Sequence, residues 1–174
     1  MSAAVRAAAW GTVVALLGAG CQDVDPTVGY SSQSLYRSDI RTVRVPIFQS
    51  RDFRRDLEFR LTEAIIKQIE SATPYKVVDD RSRADTELTG EVHQVSQSVL
   101  ANEYNTDLPQ ELHLVMSVSL AWKDLRSGEL LVRWDRFQQS AEYLPLAGES
   151  FQQGSQIAID RIAATIVEQL EADW

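Results

Sequence analysis

The most regular pattern in the sequence is an alternation of apolar with mostly polar or small residues from Glu111 to Asp124. Every second position is large and apolar: Leu112, Leu114, Met116, Val118, Leu120 and Trp122. A period of two puts these side chains on one face, so the pattern predicts a long β-strand with one buried face. Such a strand needs paired neighbours and a covering layer, which excludes an all-helical fold.

Two neighbouring strands are predicted on either side of it in the chain. Residues 85–100 are predicted to form a long strand with Leu88 and Val92 pointing inward, and the change of parity before Val95 indicates a β-bulge. A turn at 125–128, which ends in glycine, leads into a returning strand at 129–140. These segments predict an antiparallel meander.

The segment before the meander predicts a strand, a helix and a second strand. Residues 40–48 alternate and form the first strand, with Pro46 expected near its end because proline cannot donate a ladder hydrogen bond. A helical stripe runs from Phe53 to about Thr73, and Ser50 or Asp52 could cap it. A short strand at 75–79 follows, and the crossover length implies that the two strands are parallel.

A second helix is predicted at the C-terminus. Ser150 and Gln153 have the spacing of a capping box. An apolar stripe then follows at helical spacing: Ile159, Ile162, Ala163, Ile166, Val167, Leu170 and Trp174.

Together these elements predict an α+β fold in the order β-α-β-β-β-β-α. We expect a two-layer sandwich, with two helices packed on one face of a four- to five-stranded mixed sheet. The other sheet face would stay open and polar, either solvated or docked against a polar partner surface. The residues predicted to face a partner there are Glu91, His93, His113, Ser117, Ser119 and Arg133.

Cys21 is the only cysteine, and it ends a short apolar segment that follows Arg6. A cationic start, an apolar stretch and small residues before a cysteine are typical of a lipoprotein signal peptide. The apolar stretch, 7–20, is shorter than the roughly 20 residues that span a bilayer. We therefore predict cleavage before Cys21 and a lipid on its thiol, the only non-protein group expected. An Asp directly after the lipidated cysteine favours retention in the inner membrane. This position is Gln22, which favours the outer membrane.

This interpretation divides the chain into three parts. Residues 1–20 are the signal peptide, 21–36 a polar lipid-anchored tether, and 37–174 a single domain long enough for a substantial core. The lone cysteine excludes an intramolecular disulfide and any site that needs two cysteines.

The charge is unevenly distributed. Removing residues 1–20 takes away Arg6 and changes the formal net charge from −8 to −9, which argues against nucleic acid as a partner. Residues 37–60 nevertheless contain seven arginines against four acids. Two interpretations stay open: a solvated helix face, or a basic patch that meets an anionic ligand.

The sequence offers no catalytic pattern. Glu91 and His93, with Glu111 and His113, could supply four metal ligands only if the strand register brought them together. The chain has no Gly-x-Ser-x-Gly elbow and no glycine-rich phosphate loop. We therefore expect a non-enzymatic protein, without catalytic residues or a metal site.

Several short motifs follow one another along the sequence: Gly29-Tyr30, Leu35-Tyr36, Ile40-Arg-Thr-Val43-x-Val45-Pro-Ile-Phe48, Leu57-Glu58-x-x-Leu61-Thr62-Glu-Ala64 and Ala84-Asp85-Thr86-x-Leu88-Thr89-Gly90. Their order resembles that in the LptE-like family of lipopolysaccharide-assembly lipoproteins. The resemblance covers roughly residues 21–172. Each motif is weak alone, and the combination with a cysteine-terminated signal is more specific.

The resemblance implies an outer-membrane lipoprotein on the periplasmic face. Such a protein plugs and helps assemble a large LptD-like β-barrel that delivers lipopolysaccharide to the cell surface. Arg51, Arg54 and Arg55 are the candidates for contact with anionic sugar-phosphates. Two alternatives stay open: an accessory lipoprotein of another secretion or envelope complex, of the Tol-associated or curli-export kind, and a carrier of a soluble ligand.

Overall fold

The computed structural model describes residues 35–54, 56–104, 106 and 108–171. The predicted signal peptide 1–20, Cys21, nearly all of the tether and Arg55 lie outside these residues. Within them, no helix combines the length and apolarity needed to cross a membrane.

In the described part of the chain, six strands form one mixed sheet. They are β1 (Thr42–Arg44), β2 (Gln49–Ser50), β3 (Lys76–Val77), β4 (Thr86–Asn102), β5 (Pro109–Asp124) and β6 (Leu130–Tyr143). The strand order is β3-β1-β4-β5-β6, and β2 also pairs with β4. Strands β1 and β3 are parallel, as the crossover predicts, whereas β4, β5 and β6 form an antiparallel meander.

Two helices, α1 (Leu57–Ala72) and α2 (Phe151–Glu168), pack against each other and against the sheet. Their buried stripes meet the alternate strand positions Leu88, Val92, Leu114, Met116 and Trp122, each 1% exposed or less. The predicted two-layer α+β sandwich is confirmed, with β2 as an additional strand. The alternation of β5 and the C-terminal stripe up to Leu170 are also confirmed.

The predicted first strand, 40–48, is wrong in extent because the chain leaves the sheet between β1 and β2. Pro46 lies in this interruption and has no N–H for a ladder. The N–H of Phe48 donates instead to the Thr62 hydroxyl of α1, at 3.0 Å. Phe48 is 2% exposed, so its ring belongs to the core.

The predicted start of α1 is also wrong. The helix begins at Leu57, its N-cap is Asp56 with φ 80°, and no side chain caps it. Phe53 lies before the helix and is 92% exposed. Asp52 does not cap because its carboxylate accepts from the N–H of Val95 on β4, at 2.8 Å. That contact attaches the loop to the sheet.

The bulge in β4 is confirmed. The register with β5 shifts between Val92 and Gln94, which leaves His93 as the extra residue. Val92 and Val95 are therefore both buried although their sequence separation is odd.

Candidate functional site: an open sheet face and an arginine-rich segment

The pleat of the strands determines which side chains lie on the sheet face opposite the helices. The residues between the buried positions of β4, β5 and β6 point away from the core. Glu91 pairs with Ser119, and Ala121 pairs with Arg133, so side chains from three strands lie side by side. Ile47, from the interruption between β1 and β2, stands beside them and is 59% exposed. Between Ile47 and the strands lies an open depression of about 400 Å³.

Three charged or ionisable side chains form a cluster at the β2 side of this face. Arg51 Nε donates to Glu91 Oε1 at 2.6 Å, and His93 Nδ1 lies 3.6 Å from Glu91 Oε2. The Arg51 side chain is 70% exposed, whereas that of Glu91 is 19% exposed. The cluster presents a guanidinium to solvent with a carboxylate behind it, an arrangement that can accept an anionic or hydrogen-bonding group.

The other residues predicted to face a partner lie at different levels of the sheet. Arg133 is exposed and donates to Asp135 at 2.7 Å. His113 pairs with Ser98 and Glu142, towards the β4–β5 hairpin. Ser117 is only 6% exposed and its hydroxyl has no hydrogen-bond partner among the described residues. The accessible part of the face therefore centres on Glu91, Ser119 and Arg133.

The two Glu-x-His pairs do not converge. Glu91 lies opposite Ser119, but Glu111 lies opposite Ala101, ten residues further along β4. At about 3.3 Å per residue this separates the two carboxylates by roughly 30 Å. Within the described ranges, no three His, Cys, Asp or Glu side chains are grouped to hold a metal ion.

The arginine-rich segment is largely engaged within the protein. Arg54 donates to the carbonyl of Val95 at 2.8 Å, lies 3.6 Å from Asp52, and places its guanidinium 4.9 Å from the centroid of the Phe151 ring. It thereby joins the β2–α1 loop to β4 and to the start of α2. Of the nominated arginines that the structure describes, Arg51 is the more accessible.

Arg60 is a structural residue that the charge count alone did not reveal. Its guanidinium donates to Gln156 Oε1 at 2.7 Å, to the Gln152 carbonyl at 2.9 Å and to Ser155 Oγ at 3.1 Å. All three partners are on α2, so Arg60 holds the two helices together. They lie more than ninety positions away in the chain, and local spacing cannot identify them.

Carboxylates with shifted pKa values lie at the other end of the sheet. Burial acts to raise the pKa of Asp85, but hydrogen bonds from the N–H groups of Arg41 and Thr42 and from the Thr42 hydroxyl hold it below its usual value. Hydrogen bonds from the backbone and then the side chain of Arg126 lower the pKa of Asp124. These carboxylates bind backbone groups and have a structural role.

The fold and this site define a two-layer α+β sandwich with one accessible, polar sheet face. The model of the LptE lipopolysaccharide-assembly family matches residues 40–173, which is most of the chain. The chain therefore belongs to the LptE family, a family of lipopolysaccharide-assembly lipoproteins.

Solved structures share the fold at low sequence identity. Lipoprotein B from Nitrosomonas europaea has a TM-score of 0.56 at 12% identity, covering 83% of this chain and 90% of that chain. The PelC dodecamer from Paraburkholderia phytofirmans has a TM-score of 0.54 at 13% identity, covering 79% and 93%. No curated protein matches the chain at a significant level.

Proposed function

We propose that the protein is an outer-membrane lipoprotein, anchored through Cys21 on the periplasmic face, that plugs and helps assemble an LptD-like β-barrel for lipopolysaccharide delivery. The observation that carries this proposal is the family match over residues 40–173. The open polar face supports it, because the lumen of a large outer-membrane barrel is itself polar. The protein acts by binding and scaffolding, without chemistry of its own.

In this proposal the sheet face is the barrel contact. Glu91, His93, His113, Ser119 and Arg133 offer hydrogen-bond donors and acceptors over three strands, whereas Ser117 on β5 is only 6% exposed. Ser119 lies at the floor of the depression, opposite Glu91. A large, positively charged side chain at position 119 would fill the depression and prevent a partner surface from fitting closely.

The arginines form a second contact, which adjoins the first because Arg51 donates to Glu91. Arg51, Arg54 and Arg55 would meet the sugar-phosphates of lipopolysaccharide. Arg51 contributes more than Arg54 because its side chain is 70% exposed, against 37% for Arg54. Arg54 contributes mainly by ordering the loop that carries Arg51.

The first experiment is recovery of the full-length, C-terminally tagged protein from native membranes in detergent, followed by mass spectrometry. We expect one large outer-membrane β-barrel at equal stoichiometry, at least tenfold less of it with Ser119→Arg, and unchanged recovery with Lys67→Arg on α1 as the control. Recovery of inner-membrane or Tol-type partners without a barrel would refute the proposal.

The arginine contact is tested separately with purified protein and lipopolysaccharide. Arg51→Ala should weaken binding severalfold and leave thermal stability unchanged. Arg81→Ala is the matched control, since Arg81 is 64% exposed and also pairs with a glutamate, Glu87. Equal binding of lipopolysaccharide by both variants would show that Arg51 is not part of the ligand site.

A second candidate function follows from the fold shared with the PelC dodecamer. The protein would then be an accessory lipoprotein of another envelope complex and would assemble as a dodecamer. Light scattering of the purified protein discriminates between the two. A monomer that joins one barrel supports the first proposal, whereas a dodecamer supports the second.

A further inference from the structure

Six large apolar side chains near one end of the sheet are exposed. This group, the distal tip, consists of Val99, Leu100, Tyr104, Leu108, Leu144 and Leu146, which are 41–100% exposed. Exposed apolar side chains that are concentrated in one region of a protein surface often mark a site of contact with a partner.

The strand register places Val99 and Leu144 at the same level of the sheet. Val99 pairs with Leu112, Leu112 pairs with Tyr143, and Leu144 follows Tyr143. Leu108 is held at the hairpin end, where its carbonyl accepts from the N–H of Glu103 at 2.9 Å.

The distal tip is far from the point where the chain enters the domain. Tyr36 stacks edge-on against Tyr75, which in turn contacts Trp122, and Trp122 pairs with Leu88 near the start of β4. Val99 lies eleven residues further along that strand, or about 36 Å at 3.3 Å per residue. The tip therefore lies at the opposite end of the sheet from Tyr36, where the chain enters the domain.

The charged residues in the segments that form the tip are acidic. The sequence has no Lys or Arg from Ala84 to Trp122, nor from Phe137 to Asp160. The same stretches place Glu103, Glu111, Glu142 and Glu149 on the elements that build the tip. Among the residues that the structure describes, Arg54 and Arg161 reach the strands before the tip, but they donate to the carbonyls of Val95 and Ser140.

We propose that the distal tip docks on a protein partner whose contact surface is apolar and bordered by Lys or Arg. Phosphate-bearing lipid would be repelled by the surrounding carboxylates, whereas a basic protein rim would complement them. The apolar side chains supply the buried centre of the contact. The proposal rests on the proposed function only in taking the N-terminal segment as the membrane attachment.

The test is site-specific photo-crosslinking of the full-length protein in cells grown with radiolabelled phosphate. The photoreactive residue p-benzoylphenylalanine replaces Leu100, or Leu130 as the control. Leu130 is comparably exposed, at 45%, but pairs with Lys123 at the other end of the sheet. We expect a single protein adduct from position 100, none from position 130, and at least tenfold less adduct when Leu108→Lys is added.

Leu108→Gln removes apolar area without adding charge and should reduce the adduct less than Leu108→Lys. Equal adducts from both positions, no adduct from position 100, or a phosphate-labelled lipid adduct there would each overturn the proposal. A specific adduct with a protein other than an outer-membrane barrel would support the tip as a docking surface. The proposed function, whose barrel contact is the sheet face, would then still be decided by the recovery experiment.

Discussion

The ring of Phe48 lies directly on the backbone of Gly90, where an added Cβ would stand 2.1 Å from Phe48 Cε1 and 2.6 Å from the Ser119 carbonyl oxygen. This contact holds the chain between β1 and β2 against the central strand β4. It thereby positions Ile47 at the edge of the open sheet face. A glycine is required at position 90 because any side chain would occupy the space of the ring.

Gly90→Ala should therefore destabilise the domain by about 2–3 kcal/mol, since the methyl group forces the ring and the backbone apart. Chemical denaturation of the purified protein measures the change. Thr89→Ala, at the adjacent exposed position, is the control and should cost less than about 1 kcal/mol. Phe48→Leu in the Gly90→Ala background should recover part of the loss, and no recovery would contradict the steric explanation.

Asp52→Ala should cost about 2 kcal/mol, because it leaves the N–H of Val95 without its acceptor beside the bulge. The same variant should increase amide hydrogen exchange at Val95 and at Arg54, whose N–H also donates to Asp52, at 2.9 Å. Asp39→Ala, at a carboxylate that is 61% exposed, is the control. Unchanged exchange at Val95 would show that the loop is held by other contacts.

Asp85→Asn should lower stability by about 1–2 kcal/mol at neutral pH. The folded-state pKa of Asp85 is lowered by its hydrogen bonds, so its stabilisation is complete above the unfolded pKa of about 3.9. The stabilisation is lost as the pH falls from there through the folded-state pKa. Urea denaturation of both proteins should show a constant difference from pH 7 to 5 that narrows below pH 4. A difference independent of pH would contradict this assignment.

Ser150→Ala should cost about 1 kcal/mol because it removes the cap that accepts from the N–H of Gln153. Gln153→Ala removes the reciprocal bond, in which Gln153 Oε1 accepts from the N–H of Ser150 at 2.7 Å. A double-mutant cycle measures their coupling, which should be positive and below about 1 kcal/mol. Additive effects would mean that the two bonds act independently.

The parts of the fold that depend on local periodicity were predictable. The stripe and capping box of α2, the alternation of β5 and the bulge in β4 are properties of a few neighbouring residues. The errors come from long-range contacts. The first strand is interrupted because Phe48 packs on Gly90, and α1 starts late because Asp52 binds Val95.

The candidate site also has features that were predictable from local sequence and features that depend on long-range contacts. That Glu91, Ser119 and Arg133 face away from the helices follows from alternation, which the sequence displays. That Arg54 and Arg60 bind β4 and α2 depends on partners forty or more residues away, which the sequence does not display. A local excess of arginine therefore did not indicate which guanidinium groups stay accessible.

The position of β1 within the sheet determines how the domain responds to mechanical force. A pull on the N-terminal segment reaches β1, whose two parallel neighbours are β3 and β4. Backbone bonds to both sides, from Lys76 to Arg41 at 2.9 Å, from Val78 to Val43 at 3.0 Å and from Asp85 to Thr42 at 3.1 Å, carry the load together. Because a pull along β1 loads these bonds in shear, they must break together, and the domain resists being unravelled from its N-terminal side.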